Sequence, residues 1–127
     1  MIVLDTSFLI DLFKGERGTL SIVDSDVATT VITYHEILSG IKHKKAKKEE
    51  MFFRRFFSKI KILEFDLNAA EKSSEIMADL LTMGRPVNTL DVLIAGIAIT
   101  NGAEKIATRD KDFMEISEVS LLETLFY

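Results

Sequence analysis

The chain has 127 residues, 47% of them hydrophobic and 28% charged, which supplies one compact core and excludes the polar composition of a disordered chain. It holds no cysteine, so disulfides, zinc-thiolate sites, iron-sulfur clusters and a thiol nucleophile are all excluded, and two histidines, His35 and His43, argue against a multi-histidine metal site. The net charge of −4 conceals a basic block from Lys42 to Lys61, where nine Lys and Arg residues stand against Glu49 and Glu50 for a local charge of +7, leaving −11 on the remainder.

Met1 to Leu4 is a short apolar run that stops at Asp5, and Thr6 and Ser7 lead into Phe8, Leu9, Ile10, Leu12 and Phe13, so a strand followed by a helix is predicted. Gly15 and Gly18 break that helix, Leu20 to Val23 reads as a second short one, and the β-branched run Val27 to Val31 reads as a second strand. A helix is predicted to open at Thr33 and to continue through the basic run to about Ser58, with Gly40 its weak point. Within it, Phe52, Phe53, Phe56 and Phe57 recur on one helical face, the spacing of a core or interface seam. Ile60 to Phe65 alternates as a strand, and Asp66, Asn68 and Glu71 mark the start of a helix that runs to Gly84. After Arg85 and Pro86, Asn88 and Thr89 open another helix that reaches Thr100 and stops at Asn101-Gly102. Lys105 to Thr108 is predicted as a strand ending in Arg109-Asp110-Lys111-Asp112, and Val119 to Leu122 as a last one.

Strands alternating with helices, on connections too long for hairpins, predict an α/β fold with a parallel sheet covered on both faces, as a single domain over residues 1–127. The longest uncharged stretch, Val92 to Ala103, is 12 residues. A membrane span needs about 20. Asp5 also interrupts any signal-peptide core, so no membrane association and a cytoplasmic location are expected.

In parallel α/β sheets, reactive groups collect at the carboxyl ends of the strands. Asp5 and Asp110 follow predicted strands, and Glu36 and Asp91 sit in the first turns of predicted helices. Each has a structural explanation. Glu36 completes a Thr-x-x-Glu capping box with Thr33, Asp91 lies three residues after Asn88 where a negative charge favours the helix dipole, Asp110 suits an Asx turn, and Asp5 suits an N-cap. Taken together, however, four acids arrive where strand ends converge, and converging carboxylates repel unless a cation offsets them. A divalent ion does so and activates water for attack on a phosphodiester. With 20 Asp and Glu residues and few other candidate ligands, Mg²⁺ or Mn²⁺ is the expected cofactor. The basic run Lys42, Lys44, Lys45, Lys47 and Lys48 reads either as a phosphate-binding patch or as a solvated helix face.

Four segments, in order and spacing, resemble the PIN domain, and among PIN proteins the small VapC-type toxins: Ile-Val-Leu-Asp-Thr-Ser-Phe-Leu-Ile, Thr-Tyr-His-Glu-Ile-Leu-Ser-Gly, Asp-Val-Leu-Ile-Ala-Gly-Ile-Ala and Ala-Thr-Arg-Asp-Lys-Asp-Phe. Phe65-Asp66 and Gly84 extend the resemblance over nearly the whole chain. It implies a three-layer α/β/α sandwich and an Mg²⁺- or Mn²⁺-dependent endoribonuclease. Asp5, Glu36, Asp91 and Asp110 match the family's acidic catalytic and metal positions, and Asp112 a more variable acidic position that assists a second ion. Thr6, Ser7 and Thr108 match hydroxyls that orient the carboxylates or water, while Arg109 stands where many relatives carry a small polar residue, often Asn, and so bears on substrate contact. The resemblance further implies in-line attack leaving a 5′-phosphate and a 3′-hydroxyl, a homodimer, an RNA substrate and a small VapB-type antitoxin. His35, beside Glu36, points elsewhere on its helix and is not needed as a base. Alternatives left open are an RNA-processing PIN nuclease outside a toxin-antitoxin pair and a non-catalytic RNA- or protein-binding module. A phosphoacceptor receiver domain fits less well, because Asp5 is a single acid followed by Thr6 where a receiver carries an acidic pair.

Overall fold

The computed structural model describes residues 1–127. In chain order the elements are β1 (Ile2–Leu4), α1 (Thr6–Lys14), α2 (Thr19–Val23), β2 (Val27–Thr30), α3 (Val31–Lys44), α4 (Lys47–Phe57), β3 (Lys61–Leu63), α5 (Leu67–Thr82), α6 (Thr89–Thr100), β4 (Lys105–Ala107), α7 (Asp112–Glu118) and β5 (Glu123–Leu125). All strand pairings are parallel, in the order β3-β2-β1-β4-β5. The chain therefore winds outward from β1 in both directions, and the crevice between β1 and β4 is the switch point where such sheets place their chemistry.

The strands are only three or four residues long, yet their alternation separates two cores. Val3 and Ile106 point into one, with Ile76 and Leu80 of α5, Ile94 and Ile97 of α6, and Phe113 and Ile116 of α7. Leu4 and Ala107, their neighbours in sequence, point into the other, against Phe8 and Leu9 of α1, Ile37 and Ile41 of α3, and Phe53 and Phe57 of α4. A period of two on the strands, met by helices on both faces, makes the expected α/β/α sandwich.

Several boundaries differ from the sequence expectation. Val31 opens α3 instead of ending β2, because Thr30 is the cap: its Oγ1 accepts a hydrogen bond from the Thr33 N–H at 3.1 Å. Thr33 thus lies inside the helix, and the capping box with Glu36 does not form. The helix through the basic run is interrupted at Lys45 and not at Gly40, with Lys45 in the left-handed region at φ 54°. Of the phenylalanine face, Phe53 and Phe57 are buried while Phe52 and Phe56 lie toward the surface with their rings stacked 6.3 Å apart. The run after Asp110 contains a helix, α7, which was not expected, since Phe113 and Ile116 fall three apart and both reach the core. The last strand begins at Glu123, because Leu122 plugs the core and a Ser120 turn, with Ser120 Oγ accepting from the Leu122 N–H, must be completed before the ladder can start.

The tightest approach is between α5 and α6. A Cβ added at Gly96 would lie 2.8 Å from the Ala69 carbonyl oxygen and 2.8 Å from Ser73 Cβ. Only glycine lets α6 come close enough to hold its first turn over the switch point. Gly96→Ala is therefore expected to destabilise the protein by roughly 1 to 3 kcal/mol, the usual scale of overpacking, as measured by urea unfolding. An unchanged midpoint would show that the two helices can separate without cost.

Candidate metal centre

Asp5 sits where β1 ends, in the middle of the sheet, and is 2% exposed. It caps α1 as expected: Oδ1 accepts from the Phe8 N–H at 2.8 Å. Oδ1 also accepts from Ser7 Oγ at 2.8 Å, and Oδ2 from Thr108 Oγ1 at 2.5 Å. The two hydroxyls have spent their protons on Asp5 and in turn accept backbone N–H groups from the loop after β4, Ser7 from Arg109 at 2.9 Å and Thr108 from Asp110 at 2.8 Å. This network ties β1, α1 and the β4 loop into one unit. Burial nevertheless pushes the Asp5 carboxyl up to about 6, against the lowering effect of those hydrogen bonds and with a further push from the Asp110 charge.

Asp110 forms the expected Asx turn, its Oδ1 accepting from the Asp112 N–H at 2.9 Å. The turn folds Asp112 back toward α6, where its Oδ2 accepts from the Asn88 N–H at 3.1 Å. Asp91 reaches the same place from the first turn of α6. It does not act as a cap: Asn88 Oδ1 accepts from Leu90 at 2.8 Å, and buried Asp91 Oδ2 makes no hydrogen bond. Burial first, then the charges of Asp110, Asp5 and Asp112, raise its carboxyl to about 8. One oxygen from each of Asp91, Asp110 and Asp112 lies within 4.8 Å of the others.

A buried carboxylate oxygen without a partner, among three more acids, is costly unless a cation completes it. The oxygen-only donor set fits a hard divalent ion. Asp112 belongs to this cluster as closely as Asp91 and Asp110, whereas its sequence position suggested only an accessory part. Asp5 lies outside that trio, and so does Glu36. Glu36 is half-buried on α3, with Oε1 accepting from Thr6 Oγ1 at 2.7 Å, and Thr6 also contacts Thr33 Oγ1 at 3.3 Å. Thr6 thus orients Glu36, while Ser7 and Thr108 orient Asp5. His35 is exposed.

Lys42, Lys44, Lys45, Lys47 and Lys48 are all exposed around the α3–α4 junction. Lys44 joins Lys14, Thr6, Glu36 and Glu49 in lining a cleft of about 180 Å³ with Ile37, Ile41 and Phe53, which brings the end of the basic run to Glu36. On the opposite side lies a feature absent from the sequence reading. Asp11 accepts from Arg109 Nε at 2.8 Å and from the Tyr127 hydroxyl at 2.5 Å, while the Tyr127 ring meets Phe8 edge-on at 5.0 Å. Burial works against ionising Asp11, but the Arg109 and Tyr127 hydrogen bonds and the Arg109 charge outweigh it and hold the carboxyl below its usual range. Burial, and then Asp11, push the Tyr127 hydroxyl up. Sequence separations of 98 and 116 residues left no local pattern from which this trio could have been found.

Comparison with known proteins gives consistent matches. The family model described as PIN domain matches residues 2–119. The VapC ribonuclease Y4jK of Sinorhizobium fredii is 30% identical over 135 residues, covering 96% of each chain. A tRNA(fMet)-specific endonuclease VapC of Shigella flexneri is 25% identical, covering 90% of each. Among solved structures, VapBC2 of Rickettsia felis bound to a DNA fragment from its promoter superimposes with a TM-score of 0.86 over 100% of this chain and 99% of that one, at 21% identity. On the extent of the family match and the first of these relatives, this chain belongs to the PIN-domain family.

Proposed function

We propose that this chain is a divalent-metal-dependent endoribonuclease, formed by a single domain, and that it is the toxin of a toxin-antitoxin pair. The observation that carries the proposal is Asp91 Oδ2, buried without a hydrogen bond and faced by Asp110, Asp112 and Asp5. Asp5, Asp91 and Asp110 would hold the ion, Asp112 would share it or assist a second, and Glu36 would hold either the ion or the attacking water. Bound there, Mg²⁺ or Mn²⁺ supplies Lewis-acid polarisation of a phosphoryl oxygen and a more acidic water. The protein's own part is positional. Ser7 and Thr108 keep Asp5 in one orientation by donating to both of its oxygens, the Asx turn fixes Asp110 relative to Asp112, and Thr6 aims Glu36.

RNA is the proposed substrate because the ribonuclease relatives span the chain end to end, and the five lysines beside the Lys44 cleft offer its phosphates a sequence-independent attraction. The VapBC and toxin-antitoxin complexes among the structural neighbours support a small VapB-type antitoxin as partner. A homodimer and a cytoplasmic location complete the reading; no helix is long and apolar enough to cross a membrane.

Cleavage of single-stranded or tRNA-like RNA is expected only with Mg²⁺ or Mn²⁺, and Asp5→Asn, Asp91→Asn and Asp110→Asn should each abolish it while leaving the far-UV circular dichroism unchanged. Activity that survives EDTA, or persists in two of the three variants, would overturn the metal site.

A distinctive pH dependence is expected of the metal-free protein. Asp5 and Asp91 bind protons more tightly folded than unfolded, so the stability they contribute is full below about pH 4 and is lost as pH rises through about 6 and then about 8. In EDTA the melting temperature should therefore fall between pH 5 and pH 9. Asp91→Asn should melt a few degrees above wild type at pH 9, where neutralisation removes repulsion, and the gain should shrink as pH falls and vanish only below about pH 4, where Asp91 is protonated folded and unfolded alike. Mn²⁺ should raise the wild-type melting temperature and raise that of the variant much less. A variant less stable at every pH, with an undiminished metal shift, would make Asp91 a structural residue.

Reversing Lys44, Lys45, Lys47 and Lys48 to Glu should weaken RNA binding and flatten its dependence on salt, since each phosphate contact contributes to the slope of log affinity against log salt. An unchanged slope would leave that run a solvated face.

A further inference from the structure

Arg109 follows Thr108 and precedes Asp110, so its backbone is part of the acidic centre, with its N–H on Ser7 Oγ. Its side chain turns away to Asp11. The Nε bond to Asp11 fixes the guanidinium, and Asp11 is itself fixed by Tyr127 and 8% exposed. Arg109 remains 58% exposed, and its two terminal nitrogens make no hydrogen bond within the chain. They are donors on a planar fork that suits a phosphate.

Arg109 lines a cleft of about 520 Å³ together with Thr108, Arg17, Phe126 and Tyr127. Arg17 is exposed and forms no ion pair. Phe126 is an aromatic ring left 48% exposed. Two acids also line the cleft, Asp11, which is paired with Arg109, and Glu16, which forms no ion pair. A fixed arginine, a second cation and an open aromatic face are the parts with which proteins hold single-stranded nucleotides, the phosphate on the cations and the base against the ring. An acidic centre also gains from a cation close by, since its carboxylates repel the substrate's backbone.

We propose that this cleft is a nucleotide subsite of the nuclease centre: Arg109 binds a phosphate next to the one cleaved, Arg17 supports it, and Phe126 receives the base. Asp11 and Tyr127 are positioning residues that hold the Arg109 fork. The assignment rests on the ribonuclease reading. It places a strand between two cationic regions, the Lys44 cleft on one side of the carboxylates and Arg109 on the other.

The test is steady-state cleavage of a short single-stranded RNA oligonucleotide in Mn²⁺ at several salt concentrations, with melting temperature as the control for folding. Arg109→Gln should raise KM about tenfold with a smaller change in kcat, and make the slope of log kcat/KM against log salt shallower by about 0.7. Arg109→Lys should keep the slope and restore part of KM. Phe126→Ala, which leaves the Asp11 contacts intact, should raise KM about fivefold or more. If Arg109 only neutralises Asp11, Arg109→Gln changes the melting temperature and leaves KM and the slope at wild-type values, which overturns the subsite. Should Arg109→Gln fail to fold, a wild-type KM for Phe126→Ala overturns it. Absence of metal-dependent cleavage by the unaltered chain overturns the nuclease reading and the subsite together, whereas a cleaving chain indifferent to both substitutions overturns the subsite alone.

Discussion

Everything at the top of the sheet depends on how the buried Asp5 carboxylate is held. One oxygen closes the first turn of α1 and takes the Ser7 hydroxyl, the other takes Thr108, and both hydroxyls lean on the backbone of the loop that carries Asp110. The same side chain is a helix cap, a clamp between β1 and β4, and a member of the acidic centre. These duties pull in opposite directions. As a cap it is strongest when ionised; among other acids, and nearly without solvent, ionisation is what burial opposes. A cation would reconcile the two by allowing full charge on Asp5 without repulsion.

Topology makes the convergence possible. Because β1 pairs with both β2 and β4, residues at the ends of the first and fourth strands become neighbours although about a hundred residues separate them. The third contributor, Asp91, comes from a helix, and its position is set by packing. Gly96, five residues further along α6, has Ala69 and Ser73 of α5 where a side chain would be. Core and centre are therefore coupled: the closeness of α5 and α6 decides where the carboxylate of Asp91 sits.

Much of this was legible in the sequence. Abrupt endings of short apolar runs at Asp5 and Asp110 marked strand ends, and the strand-helix alternation gave a parallel sheet, because both signals are local. The failures have specific causes. Thr30 and Thr33 are equally good caps by composition, and only the burial of Thr33 and the hydrogen bond between them decide which one opens α3. Taken alone, Asp91 after Asn88 reads as a first-turn charge serving its helix; instead its buried Oδ2 has no hydrogen-bond partner and faces three acids brought in from elsewhere. Helix α7 was hidden because Asp110-Lys111-Asp112 resembles a loop until Phe113 and Ile116 have a core to enter. The Asp11, Arg109 and Tyr127 trio had no signal at all, since nothing in the spacing links residues so far apart.

The brevity of the outer strands has a bearing on self-association. β3 and β5 form the two open margins of the sheet, each three residues long, and an exposed charged residue opens both, Lys61 on one and Glu123 on the other. Such margins offer a second chain few backbone groups to pair with and place a charge where a new strand would have to lie, which guards against runaway sheet extension and aggregation. Edge-to-edge pairing of the sheet between two copies is thus disfavoured.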